Sequence, residues 1–207
     1  MLTVHLLRHG QTAWNVERRF LGRTDVDLDS VGEAQVLALK VVFPPVSQVY
    51  SSPLRRAWRT AEAVGQPQAM QSLVEMDMGV LEGLGGPEAF AAHPDLLLQF
   101  RTDPSSVVIP SGETLAQTGT RMLEAWDRTV PAVAAVDPDA VIALVSHQMA
   151  MSALLCRLTG APLSDYRGFT QRNTAWTTIR VDGAAPRHPA NVTIVARDQA
   201  PHLPTVG

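Results

Sequence analysis

Two histidines directly follow apolar runs of the sequence. His9 comes after residues 3–7 and Arg8, and His147 comes soon after residues 141–145. Short apolar runs of this kind are typical of buried strands, and ligands bind beyond the carboxyl ends of parallel strands. Imidazoles act there as nucleophiles or proton carriers near neutral pH. We therefore expect the two histidines to face one another at one site. Taken alone, each could equally be a polar residue at a strand end with no function.

An arginine and a glutamate lie in two further segments of chemical interest. Arg56 follows Ser52-Pro53 at the predicted start of a helix, where backbone N–H groups and a guanidinium together suit a phosphate. Glu75 stands among apolar residues, where burial would raise its pKa enough for it to act as an acid. Two alternatives stay open. Arg56 could be an exposed arginine on a well-capped helix, and Glu75 could be a solvated glutamate in a loop.

The elements that would position these residues alternate between strand and helix. We predict strands over residues 3–7, 46–51, 141–145, 176–181 and 192–196. We also predict a helix after an N-cap at Ser30, a helix that begins at Pro53, and helices over 113–136, with a break at Pro131, and over about 150–158. This alternation predicts an α/β fold with a mostly parallel sheet. Residues 83–112, punctuated by Gly and Pro, are expected to form an insertion over the sheet edge.

Composition narrows the class of protein. The chain has 207 residues, 17 Lys and Arg against 20 Asp and Glu, a net charge of −3 and one cysteine. This charge gives no basis for nucleic-acid binding, and one cysteine excludes internal disulfides and four-cysteine zinc sites. The sequence has neither an apolar run of the roughly 18 residues that a membrane helix needs nor a signal-peptide pattern. We expect a single cytoplasmic domain over residues 1–207, without a membrane partner.

The candidate residues lie in segments that match one known family in order and in register. Those segments are residues 6–15, 22–28, Gly32, the Ser-Pro-Leu-x-Arg-Ala pattern at 52–57, residues 75–83, Gly112-Glu113-Thr114 and Val145-Ser146-His147. Together they resemble the histidine phosphatase superfamily, also called the phosphoglycerate-mutase-like family. The resemblance implies a three-layer α/β/α sandwich with a mostly parallel central sheet.

The resemblance also implies a role for each candidate residue. His9 would take the phosphoryl group and become a phosphohistidine, and Glu75 would protonate the leaving oxygen and then deprotonate the attacking water. The implied phosphate-binding residues are Arg8, Asn15, Gly22, Arg56 and His147, of which Arg8, Arg56 and His147 also count as catalytic. Phosphoryl transfer spreads negative charge over oxygen atoms, which positioned cations stabilise. With so much positive charge at hand, neither a metal nor another cofactor is expected.

Two positions depart from the family pattern. Gln148 follows the second histidine, where the family usually has glycine, and Leu21 precedes Gly22, where the family often has a polar residue. Both changes leave the catalytic residues in place, and they affect which substrate of the family this chain would bind. We expect the substrate pocket to include Leu21, Arg23, Gln148 and Met149.

Three functions follow from these expectations. The first is a histidine acid-type phosphatase, a phosphomonoesterase of the phosphatase branch that acts on a small phosphorylated metabolite. The second is a cofactor-dependent phosphoglycerate mutase, which we rank lower because residues 83–112 carry only Arg101 and His93 to bind a second anion. The third is a catalytically weak module that binds phosphorylated ligands. The sequence leaves the oligomeric state open, with a homodimer as one option. It also leaves open whether residues 83–112 act as a lid that closes over the site.

Overall fold

Six strands form one sheet in the computed structural model, which describes residues 1–182 and 191–204. The strands are β1 (Leu2–Arg8), β2 (Gln48–Ser51), β3 (Pro67–Ala69), β4 (Val141–Ser146), β5 (Trp176–Val181) and β6 (Val192–Gln199). Their order across the sheet is β3-β2-β4-β1-β5-β6. Strands β3, β2, β4 and β1 pair in parallel, β5 pairs antiparallel with β1, and β6 pairs antiparallel with β5. The predicted α/β fold with a mostly parallel sheet is confirmed.

Helices cover both faces of the sheet. They are α1 (Ala13–Val16), α2 (Ser30–Val42), α3 (Arg55–Glu62), α4 (Gly86–Ala92), α5 (Pro94–Thr102), α6 (Leu115–Val136) and α7 (Gln148–Thr159), with short 3₁₀ helices at Gln71–Leu73, Gly79–Leu81 and Leu163–Phe169. Within the described part of the chain, none of them combines the length and the hydrophobicity needed to cross a membrane.

Alternate residues of β4 show how the three layers form. Ile142 and Leu144 are buried in a cluster with residues of α6 and α7, whereas Ala143 and Val145 are buried with residues of α2 and α3. Successive side chains of a strand point to opposite faces of the sheet, so an unbroken apolar run must be covered on both sides. The result is the α/β/α sandwich that the family resemblance implied.

Two helices begin at other residues than the sequence predicted. The N-cap of α2 is Asp29, whose side chain accepts a hydrogen bond from Gly32 N, so Ser30 is the first helical residue and not the cap. Helix α3 begins at Arg55 rather than at Pro53. Both helices are present as predicted. Their first residues differ by only one or two positions, because helix ends are the least well-determined part of a sequence pattern.

The predicted helix break at Pro131 is wrong, since α6 continues through it to Val136. A proline inside a helix costs about 3 kcal/mol through a lost hydrogen bond and a clash. Here Trp126, Val130 and Val133, on both sides of the proline, are buried in the core, and their burial outweighs that cost.

We expected the insertion at residues 83–112 to lie over the sheet edge. It packs instead on the helical layer. It contains α4 and α5, and its buried residues Phe100 and Ile109 share a cluster with Leu115 of α6 and Cys156 of α7. The apolar residues that the sequence places in this segment therefore have a partner surface beside the start of α7. This location brings the insertion to the carboxyl end of the central strands.

Candidate active site

The register of the two central strands brings the two histidines together. Strands β1 and β4 pair in parallel with Arg8 opposite Ser146, so the next residue of each strand is a histidine. His9 N donates a hydrogen bond to Ser146 O at 3.1 Å, and the ring centroids of His9 and His147 are 5.0 Å apart. The structure thus places them as neighbours, as the strand-end argument predicted.

His9 is held as a neutral imidazole. Its Nδ1 lies 2.7 Å from Gly10 O, and because a carbonyl only accepts, Nδ1 carries the proton and Nε2 keeps its lone pair. Burial, and then the positive charges of Arg56 and Arg8, hold the pKa of His9 well below its usual value. Asn173 Nδ2 donates to His9 O at 3.0 Å, which fixes the backbone of the same residue. An oriented neutral imidazole of this kind is a competent nucleophile.

Arg8 presents one edge of its guanidinium without a partner. Its Nη1 donates to Gln171 O at 2.7 Å, whereas Nε is buried and has no hydrogen-bond partner among the described residues. Burial lowers the pKa of Arg8 to about 10, so the side chain remains a cation at neutral pH. A buried cationic donor without an acceptor is unfavourable unless an anion binds it.

Arg56 and His147 lie fully buried beside His9 and bond to one another. Arg56 Nε donates to His147 Nδ1 at 3.2 Å, and Ser52 Oγ lies 2.8 Å from His147 Nε2. His147 Nδ1 therefore accepts, and its proton is on Nε2. Burial and the charge of Arg56 lower the pKa of His147 well below its usual value. The second histidine is thus neutral in this structure.

Gly22 supports Arg56 instead of pointing its N–H toward a phosphate. Gly22 O accepts from Arg56 Nη2 at 2.7 Å, and Gly22 N donates to both carboxylate oxygens of Glu82 at 3.0 Å. A Cβ at this position would lie 2.7 Å from Met76 O and 2.9 Å from Met78 N, and because both are backbone atoms, only glycine allows this close approach. In this structure the N–H of Gly22 is therefore not free for the phosphate contact expected of it.

Glu75 is bound at the first turn of α7. Its Oε1 accepts from Ala150 N at 2.9 Å and from Met76 N at 2.8 Å, and its Oε2 accepts from Met149 N at 3.1 Å. Burial raises the pKa of Glu75, and the three backbone N–H groups oppose this rise without cancelling it. Arg121 Nη2 donates to Glu75 O at 3.2 Å and fixes the backbone. A buried carboxyl with a raised pKa is suited to proton donation.

Asn15 lies at the site with its oxygen already occupied. Asn15 Oδ1 accepts from Thr12 N and Thr12 Oγ1 at 3.1 Å, and from Asn173 Nδ2 at 3.3 Å. Among the described residues, Asn15 Nδ2 donates no hydrogen bond, so this group is left for an anion. The geometry suits the phosphate contact expected of Asn15.

A cavity of about 260 Å³ opens over these groups. Its polar lining residues are Arg8, His9, Asn15, Arg19, Glu75 and Gln148, and its apolar ones are Phe20, Leu21, Met78, Phe100, Met149 and Tyr166. Arg56 and His147 are fully buried and are not among the lining residues. Leu21, Gln148 and Met149 line the cavity as expected of the substrate pocket.

Arg23 does not belong to this cavity. Its guanidinium forms ion pairs with Glu113 at 2.9 Å and with Asp77 at 3.5 Å. The expectation that Arg23 contacts a substrate is therefore corrected, since two carboxylates on its own side already balance its charge. The same Glu113 also pairs with Arg121, so Arg23 belongs to the network that fixes the Glu75 segment.

Four residues of the site were not singled out from the sequence. They are Ser52, Arg121, Gln171 and Asn173, which contact respectively His147, Glu75, Arg8 and His9. Gln171 and Asn173 lie in the loop before β5, which reaches the site because β5 pairs antiparallel with β1. A polar run ahead of a predicted strand is the only local signal for them. Ser52 lies inside a quoted motif but was given no role.

Comparison with known proteins places the chain in one family. The family model described as histidine phosphatase superfamily (branch 1) matches residues 4–190. A probable phosphoglycerate mutase GpmB of Yersinia pestis (strain Pestoides F) is 31% identical over 186 residues, covering 86% of this chain and 85% of that protein.

Two solved structures extend the comparison. A mycobacterial glucosyl-3-phosphoglycerate phosphatase in complex with VO3 is 28% identical with a TM-score of 0.76, covering 86% of this chain and 92% of that one. Bacillus stearothermophilus YhfR is 25% identical with a TM-score of 0.85, covering 98% and 99% of the two chains. Both similarities extend over most of the chain.

Proposed function

The chain belongs to the histidine phosphatase superfamily, and from that premise we propose that it is a phosphomonoesterase that hydrolyses a small phosphorylated metabolite through a phosphohistidine. The observation that carries this proposal is the state of His9. Its Nδ1 proton is held by Gly10 O, so the lone pair of Nε2 is available at a cavity that Glu75 also lines. A nucleophile and a proton donor at one cavity are what ester cleavage requires.

The first step transfers the phosphoryl group to His9. Nε2 of His9 forms a bond to phosphorus as the bond from phosphorus to the ester oxygen breaks, and the proton of the Glu75 carboxyl passes to that oxygen. The unpartnered Nε edge of Arg8 binds phosphate oxygens and offsets the charge that develops on them. Because burial raises the pKa of Glu75, a larger fraction of it carries the proton that the alcohol needs.

The second step returns His9 to its starting state. Water attacks phosphorus, the Glu75 carboxylate takes a proton from that water, and the bond from phosphorus to Nε2 breaks. Inorganic phosphate leaves. The first turn of α7 keeps the carboxylate in place for this reversal of role, since Met149 N and Ala150 N bind its two oxygens.

The lining of the cavity supports a substrate whose alcohol part is largely apolar. Six of its residues are apolar or aromatic, and such surfaces gain free energy by removing apolar groups from water. Arg19, the one further arginine of the lining, donates to Gly83 O at 2.8 Å and to Glu17 Oε2 at 2.5 Å. Its charge is thus balanced within the protein, and it is poorly suited to bind a second anion on the substrate.

The mutase alternative is supported by the name of the GpmB relative. A mutase must bind a substrate with a second anionic group and hold it while the phosphoryl group is exchanged. Neither Arg101 nor His93, the basic residues of the insertion, lines the cavity. This composition favours the phosphatase over the mutase.

The test is phosphate release in EDTA from a panel of esters. The panel comprises para-nitrophenyl phosphate, phosphoserine, sugar phosphates, phosphoglycerates and nucleoside monophosphates, with wild type, His9→Ala and His93→Ala as a control outside the cavity. We expect EDTA-resistant turnover that His9→Ala abolishes and His93→Ala retains.

Two other results would contradict the proposal. Interconversion of phosphoglycerates without net hydrolysis would favour the mutase. A folded protein that binds phosphate but is inactive in both assays would favour the binding module.

A further inference from the structure

Gln148 connects three parts of the site. It is the first residue of α7 and directly follows His147. Its Oε1 accepts from Arg8 Nη1 at 3.3 Å and from Gln171 N at 3.0 Å, and its Nε2 donates to Ser152 Oγ at 2.9 Å. Both ends of the amide are therefore used within the protein, although the side chain lines the cavity.

These hydrogen bonds determine which edge of Arg8 faces an anion. A guanidinium is a planar fork, so fixing one of its nitrogens fixes the direction of the others. Nη1 is held by Gln171 O at 2.7 Å and by Gln148 Oε1, which leaves the Nε edge, where the buried Nε has no partner among the described residues. Gln148 Oε1 also accepts a hydrogen bond from Gln171 N. It therefore helps to position Gln171 O, which is the other acceptor of Arg8 Nη1.

We propose that Gln148 is a positioning residue that holds the Arg8 guanidinium with its Nε edge toward the phosphoryl group. The inference rests on the proposed function, in which that group binds beside His9. A glycine at this position would supply no acceptor for Nη1, and a carboxylate would cancel the charge of Arg8. The amide accepts without changing the charge, and Ser152, which itself donates to Phe169 O at 3.2 Å, fixes the amide.

The first experiment measures phosphate binding in Gln148→Met, which keeps the length of the side chain and removes its acceptor. We expect the dissociation constant of inorganic phosphate, measured by calorimetry, to rise about tenfold, since hydrogen bonds to charged groups are worth more than neutral ones. Gln68→Met, at an exposed position of edge strand β3, is the matched control and should leave binding unchanged. Ser152→Ala should produce a smaller loss of the same kind.

A second readout separates positioning from direct contact and from simple destabilisation. In ¹⁵N NMR spectra, the side-chain Nη signals of Arg8, assigned by their loss in Arg8→Lys, should be resolved in the wild type and averaged by rotation in Gln148→Met. In the Arg8→Lys background, Gln148→Met should cost no further phosphate affinity.

Several results would overturn the proposal. These are an unchanged phosphate affinity in Gln148→Met, unchanged Arg8 signals, or an equal loss of affinity in the Arg8→Lys background, which would indicate that Gln148 contacts the anion itself. None of these readouts requires turnover. A protein that hydrolyses nothing would therefore refute the proposed function while leaving the role of Gln148 decided by binding and NMR.

Discussion

Replacing Glu75 by glutamine separates proton donation from every other part of the site. The amide can keep the two hydrogen bonds that Oε1 accepts from Met76 N and Ala150 N, but its NH₂ group faces Met149 N, which also donates. One hydrogen bond is lost, at a cost of about 1–3 kcal/mol in the free energy of unfolding. The variant also lacks a buried ionisable carboxyl, which offsets part of this cost. We expect Glu75→Gln to fold.

The expected effect on catalysis depends on the leaving group. An alkyl ester releases a strongly basic alkoxide and needs the proton of Glu75, so its kcat/KM should fall about 10²–10⁴-fold, the usual contribution of a general acid. Nitrophenolate leaves without a proton, so kcat/KM for para-nitrophenyl phosphate should fall about tenfold or less. Because kcat/KM reports only steps up to release of the alcohol, it does not include hydrolysis of the phosphohistidine.

The assay is a series of phosphate monoesters whose alcohols differ in acidity, with kcat/KM plotted against the pKa of the alcohol. The plot should be steep for Glu75→Gln and shallow for the wild type and for Glu124→Gln, an exposed glutamate of α6 that serves as the control. A uniform loss across the series would refute the assignment of Glu75 as the acid. Rapid release of nitrophenol followed by slow turnover would show that the same residue also acts as the base.

Three further predictions concern Asn173, Phe100 and His5. Asn173→Ala removes the donor to His9 O and Asn15 Oδ1 and should lower kcat/KM about tenfold; unchanged phosphate-release kinetics would contradict this role. Phe100→Leu removes an aromatic wall of the cavity and should lower kcat/KM for aryl esters about three- to tenfold relative to glycerol phosphate, so an equal change for both esters would argue against an apolar substrate. Burial lowers the pKa of His5 from 6.5 to about 4, so the unfolded chain takes up this proton first as the pH falls. The free energy of unfolding should therefore lose about 3 kcal/mol from this group between pH 6.5 and pH 4, and urea denaturation of His5→Gln should show a shallower pH dependence than the wild type.

The strand-end residues of the site could be predicted because short local patterns determine where strands end. The apolar runs before His9 and His147 define strands whose parallel pairing fixes their separation. Glu75 could be recognised by its apolar neighbours, which do bury it. In each case a few adjacent residues contain the information.

Residues that depend on distant pairing could not be predicted in this way. Asn173 reaches His9 only because β5 returns antiparallel beside β1, and no pattern near residue 173 encodes that return. The N–H of Gly22 is taken by Glu82, which is 60 residues away. For the same reason Pro131 does not end α6, since the packing of that helix in the core outweighs the local preference of proline.

The N-cap residue of α7 and its first three helical residues constrain how this protein can change. His147 bonds to Arg56, Gln148 to Arg8, and Met149 and Ala150 to Glu75. Each residue of a helix is turned about 100° from the one before, so inserting or deleting one residue here would misdirect all of these contacts at once. Mutations in this tetrapeptide should therefore show strong epistasis, and laboratory evolution of new substrate preference should accumulate changes in the apolar wall of the cavity instead.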